Sequence, residues 1–104
     1  MIITTSAQVE GRRIARTIGL VKGNTIRARH VGRDIKAWGK SMVGGEITDY
    51  TQMMSEAREE AIQRMLEDAE KKGANAIVSM RLATSMIMQN ASEELAYGTG
   101  VVLE

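Results

Sequence analysis

The chain has 104 residues, no cysteine, no proline and a formal net charge of +1. That length holds a single domain, residues 1–104, with a small core. The missing cysteines exclude disulfides and thiolate metal sites, and the near-neutral balance provides no strong field to steer nucleic acid. Ile2 to Thr5 is a short strand candidate rich in β-branched residues. Val9-Glu10-Gly11 reads as a turn. Ile14 to Arg29 again reads as strand, with Ile14, Ile18 and Leu20 on one face and Ala15, Thr17, Gly19 and Val21 on the other. Gly23-Asn24 interrupts it, as a hairpin turn or as a bend or bulge in one long strand. The bent strand is preferred, because Thr25 to Arg29 alone makes a weak, charged partner. His30 to Glu46 carries Gly32, Gly39, Gly44 and Gly45. Ile35, Trp38, Met42 and Val43 mark it as a tied-down loop or short helix rather than a free linker.

A long helix follows, from about Asp49 to Lys72. Thr48 or Asp49 is placed to cap its start, Lys71 and Lys72 suit the negative end of its dipole, and Gly73 closes it. Tyr50, Met53, Met54, Ala57, Ala61 and Met65 form one apolar stripe, which Ile62, Leu66 and Ala69 widen. One small sheet needs only the first stripe, so the second is expected to meet a neighbouring subunit; the alternative is a helix buried deeper in its own domain.

After Gly73, Ile77 to Leu82 reads as strand, with Val78, Met80 and Leu82 on one face and Ile77, Ser79, Arg81 and Ala83 on the other. Gln89-Asn90-Ala91-Ser92 is the expected turn. Leu95 to Leu103 returns as the last strand, where Ala96, Gly98 and Gly100 leave room for a helix or another backbone to come close. The order is strand, helix, strand, strand: an α+β domain with one helix across a small antiparallel sheet.

Chemistry is sparse. His30 is the only histidine. Asp34 lies one helical turn on, and the two form a weak candidate metal pair that still needs further ligands. Of the methionines, Met53, Met54 and Met65 fall on the helix's apolar face and read as core, whereas Met86 and Met88 near the turn are more exposed and suit a soft ion. Arg58 with Glu46 or Glu94 makes a candidate anion or small-ligand site, or simply a structural ion pair. Gly39-Lys40-Ser41 lacks the strand and helix that a phosphate loop needs. No nucleophile–base arrangement is present, so no enzymatic activity is expected. Trp38 reads as a packing or interface anchor, and it is the only aromatic among the basic residues of the N-terminal half, which argues against nucleic-acid binding. No apolar run reaches membrane-spanning length and no signal peptide is evident, so a cytoplasmic protein without a membrane partner is expected.

Three patches in order and spacing carry a family resemblance. They are Gly44-Gly45-Glu46 with Tyr50-Thr51 and Glu56-Ala57-Arg58, then Gly73-Ala74-Asn75-Ala76-Ile77-Val78, then Glu94 through Val102. With Ile18-Gly19-Leu20-Val21 and Gly23, they resemble the YbjQ-like family, which is named for heavy-metal binding. The resemblance implies a dodecin-like α+β subunit that assembles with itself into a ring, most simply a pentamer. The expected function is therefore a non-enzymatic homo-oligomeric scaffold or small-ligand-binding protein. A metal-ion-binding protein using His30 with exposed Met or carboxylate groups is the alternative; no cofactor is otherwise implied.

Overall fold

The computed structural model describes residues 1–28, 45–89 and 91–104, with 45–50 as backbone only. The elements are β1 (Ile2–Ile3), β2 (Ile14–Ala28), α1 (Gly45–Lys71), β3 (Ala76–Met88) and β4 (Ala91–Leu103). The sheet order is β1-β3-β4-β2. β4 runs antiparallel to both neighbours, while β1 lies parallel to β3. The sheet is thus mixed, not wholly antiparallel as the sequence suggested. The connection from β1 to β3 runs through β2 and α1, long enough for the crossover that parallel pairing requires. The expected features between His30 and Gly44, including Trp38, lie outside the described residues.

β2 is one long strand, as preferred, but its irregularities do not sit at Gly23. Register shifts fall between Ile14 and Arg16 and between Thr17 and Gly19, with Gly19 at φ +123°. An extra residue at each shift moves the following side chains to the opposite face. Ile14, Ile18 and Leu20 therefore do not share a face: Ile14 packs in one core, Ile18 in the other, and Leu20 is exposed. Gly23 has another role. A Cβ there would stand 2.2 Å from the Met65 amide nitrogen and 2.5 Å from the Ala61 carbonyl oxygen, so the helix backbone rests directly on it.

α1 starts at Gly45, four residues before the expected Asp49, which puts Thr48 and Asp49 inside its first turn. The terminus that Gly73 was expected to close is well formed. Gly73 has φ +89°, its N–H donates to the Glu70 carbonyl at 3.1 Å, and the Ala74 N–H donates to the Ala69 carbonyl at 3.0 Å. This pair of bonds satisfies carbonyls that the helix end would leave open. Met54, Ala57, Ala61, Met65 and Ala69 are buried, while Met53, Ile62 and Leu66 are half-buried. Small alanines on this stripe bring the axis close to the sheet.

β3 also switches faces. Ser79 has φ +53°, and the register to β4 shifts between Val78 and Arg81. Val78 and Met80 consequently end on opposite sides, contrary to simple alternation. Beneath α1, Val21, Ala61, Met65, Ala69, Ala74, Ile77 and Ala96 form the main core. On the other face, Ala76, Val78, Val101 and Leu103 form a smaller one, covered by Val9 and Ile14. The hairpin is longer than expected: Ala91 and Ser92, read as turn from sequence, already belong to β4 and pair with both β2 and β3. Two flanking strands extend them despite their turn-like composition.

The two outer edges of the sheet are treated differently. On β2, the Lys72 ammonium donates to the Leu20 carbonyl at 3.0 Å, Asp68 Oδ2 accepts the Lys22 N–H at 3.0 Å, and Arg64 donates to the Asn24 carbonyl at 2.6 Å. One helix flank, at four-residue spacing, thus satisfies the open edge. On β3, β1 and the following residues cover the edge only as far as Met80, through bonds between Thr4 and Ile77, Ser79 and Ser6, and Met80 and Thr4. From Leu82 to Met88 no strand pairs with the outer edge among the described residues, and every residue is exposed. The helix lies over β2 and β4 and barely reaches β3.

Candidate functional site

The register sets Glu94 of β4 opposite Thr25 of β2 and Thr84 of β3. Directly opposed residues of antiparallel strands point to the same face. That face lies beneath α1, because Ser92 contacts Met54 Sδ at 3.1 Å and Ala96 packs in the helix-covered core. A polar row, Thr25–Glu94–Thr84, therefore crosses the surface beneath the helix. Glu94 is 0% exposed and Thr25 3%. The Thr84 hydroxyl donates to Glu94 Oε2 at 2.8 Å, whereas Glu94 Oε1 and Thr25 Oγ1 have no hydrogen-bond partner among the described residues. Burying unpaired polar atoms costs on the order of 1–3 kcal/mol each, so this row is the least comfortable place in the interior.

Arg58 is half-buried and makes no hydrogen bond or ion pair among the described residues. It follows Met54 and precedes Ile62 at four-residue spacing, so it lies on the helix flank away from the capped β2 edge. The structure does not join it to Glu94. Glu46 lies in the first turn of α1 with its side chain outside the described atoms, and His30 and Asp34 are outside the described residues. The ion pairs of this region use other groups: Arg27 meets Glu60 at 2.5 Å and Glu56 at 3.9 Å, and Arg64 meets Glu60 at 2.6 Å. They tie the far part of β2 to the helix. Among the described residues no group of three His, Asp or Glu side chains could hold a metal ion. Met86 and Met88 are exposed, as expected, but a register shift separates them.

Two polar features escaped the sequence. Thr25 and Thr84 become neighbours of Glu94 only through strand register. Asp68 reads as an ordinary exposed helix acid, although Lys72 four residues on hints at its ion pair. Its carboxyl is held below the usual value, chiefly by the Lys22 backbone N–H; burial opposes this, and the hydrogen bond and charge of the Lys72 ammonium add to the lowering.

One long helix across a four-stranded mixed sheet, with the buried Glu94 row beneath it, defines a small α+β protein. The chain belongs to the YbjQ family, described as "Putative heavy-metal-binding", whose model matches residues 1–104. A UPF0145 protein of Dehalococcoides mccartyi is 59% identical over 104 residues, covering all of both chains. A UPF0145 protein of Clostridioides difficile is 58% identical over all of this chain and 93% of its own. One from Methanosarcina acetivorans is 54% identical over 97% of this chain and 95% of its own. A crystal structure of a protein of unknown function from Pediococcus pentosaceus, of the DUF74 family, has a similar fold. Its TM-score is 0.62 at 18% identity, covering 100% of this chain and 98% of that one. No helix among the described residues is long and apolar enough to cross a membrane.

Proposed function

We propose that the chain is the subunit of a non-enzymatic, ring-forming homo-oligomer, a scaffold or small-ligand-binding protein, with five copies as the family resemblance implies. The observation that carries this reading is the bare part of β3, where Leu82, Met86, Ile87 and Met88 are 43–70% exposed. The described chain is also extended, at 56 × 22 × 16 Å with a radius of gyration of 17.4 Å; a compact domain of this length has about 13 Å. A chain that hides so little of its own strand is supported best by copies of itself. Its ligand, if small, would engage Arg58 with Glu46, while Glu94, fully buried and apart from Arg58, stays outside that group; nucleic acid and membrane have no place in this reading. Sedimentation velocity of dilute protein tests it: a uniform multi-subunit species is expected, and a stable monomer removes the proposal.

The second reading is metal-ion binding through His30 with Asp34, or through exposed methionine. The family's description and the exposure of Met86 and Met88 favour it. Titration with Cu(I), Zn(II) and Ni(II) is the test, and unchanged affinity in His30→Ala counts against that residue.

A further inference from the structure

We infer that the Arg64–Asp68–Lys72 flank of α1 is an edge guard: it fills the outer edge of β2 as a neighbouring strand would, and so bars a strand of a second copy from adding there. Alternate residues of a strand turn their N–H and C=O groups to the same edge. On β2 the outward ones include Leu20, Lys22 and Asn24, and each is met by one member of the flank. Lys72 donates to the Leu20 carbonyl at 3.0 Å, Asp68 accepts the Lys22 N–H at 3.0 Å, and Arg64 donates to the Asn24 carbonyl at 2.6 Å. The chemistry matches group by group: the acid faces the N–H, and the two cations face the carbonyls. The spacings also agree. Four residues of helix advance about 6 Å and two residues of strand about 6.7 Å, so a helix laid beside a strand can serve three rungs in succession. The flank is itself braced, because Lys72 pairs with Asp68 at 3.1 Å and Glu60 holds Arg64 at 2.6 Å.

The other edge of the same sheet is what gives a guard its use. From Leu82 to Met88, β3 has no outer neighbour among the described residues. Charged side chains are a common means of keeping an edge from pairing, and the stretch Leu82 to Gln89 carries none. α1 lies over β2 and β4 and barely reaches β3, so it does not stand in the way. The strand best placed to enter an opened β2 edge is therefore β3 of a second copy. Once paired, that copy would present its own β2 to the next one. Such a heterologous contact runs on as a filament unless its rotation closes. With the flank in place, β2 finds its edge partner within its own chain and this growth does not start.

Amide exchange and removal of the flank test the guard. The Lys22 N–H should exchange slowly in the parent and much faster in Asp68→Ala; the same rate in both proteins overturns the proposal. The triple variant Arg64→Ala/Asp68→Ala/Lys72→Ala should form β-rich polymers, seen by sedimentation and infrared spectroscopy, at concentrations where the parent forms none. Should that variant lose its helix, Arg64→Met/Lys72→Met takes its place, since it keeps both stems but cannot donate. A flank variant that stays helical and keeps the parent's size shows that β2 needs no guard. Lys71→Ala changes an exposed residue and brings the net charge to the triple variant's value; it should behave as the parent, and polymers there would assign the effect to charge alone. Adding Met86→Lys to the flank variant puts a cation on the β3 edge and should abolish the polymers. Polymers that persist exclude β3 as the incoming strand and overturn the proposal.

Discussion

The backbone of Met65 lies against the α-carbon of Gly23 so closely that a single added methyl would stand 2.2 Å from its amide nitrogen. Helix and sheet meet here with no side chain between them. Gly98 is also crowded, but less tightly: Cγ2 of Ile77 would lie at 2.8 Å, and the Val78 carbonyl oxygen and Met80 α-carbon at 3.1 and 3.2 Å. Those contacts need only a small shift, whereas at Gly23 the helix backbone must move as a unit. Gly23→Ala should therefore cost more than Gly98→Ala, at or beyond the top of the ~1–3 kcal/mol usual for overpacking. Gly98→Val should fall within that range. Urea denaturation of the three variants checks the order; equal midpoints for Gly23→Ala and the parent would mean that the helix does not sit where described.

Gly73 isolates a different effect. A Cβ there meets nothing within 4 Å, but φ is +89°. Gly73→Ala should lose about 1 kcal/mol from backbone strain alone. Gly73→Asn should recover part of the loss, since asparagine tolerates the left-handed region better. Thermal melts of the two variants give the comparison, and identical losses would argue against a conformational origin.

Sequence periodicity reveals the helix well, because its stripe from Met54 to Ala69 repeats without interruption and Gly73 ends it. The strands are harder. Alternation predicts faces only while the register holds, and the shifts near Ile18 and Ser79 each reverse it. Gly19, at φ +123°, is the kind of residue that can mark such a shift, but Ser79 at φ +53° is not. The same limit hid the polar row: Glu94 was singled out as an acid, but its neighbours Thr25 and Thr84 lie 69 and 10 residues away and meet it only through pairing. Arg58 was the natural partner by charge, yet its place on the helix flank leaves it apart from Glu94.

Asp68 makes the helix-to-edge contact sensitive to acid. Its folded pKa lies below the ordinary value of 3.8 because the Lys22 N–H and Lys72 ammonium favour the carboxylate. The unfolded chain thus binds the proton more readily. The contribution is fully present above the unfolded value and is lost as pH falls through the lowered folded one. Asp68→Asn should cost about 1 kcal/mol or less near neutrality, given the partial exposure. Below about pH 4 the parent should lose this margin and approach the variant. Denaturation midpoints from pH 7 to pH 2.5 measure it, and a constant difference across that range would exclude the linkage.

Glu94 is the interior group whose replacement separates charge from shape. The carboxylate is fully buried and accepts one bond from Thr84, and among the described residues neither Oε1 nor the hydroxyl of Thr25, its partner in the β2 register, has a hydrogen-bond partner. Glutamine keeps the volume and can keep the Thr84 bond through its carbonyl oxygen. Its amide then faces the row as a donor, and the cost of holding an incompletely paired carboxylate away from water disappears. Glu94→Gln should therefore be as stable as the parent or more so. Glu94→Ala removes the side chain, leaves the Thr84 hydroxyl unmatched and opens a cavity, for a loss of about 2–4 kcal/mol. Guanidinium denaturation of both variants decides the matter. A Glu94→Gln loss as large as that of alanine would mean that the negative charge itself is needed, and the row would then have to hold a cation.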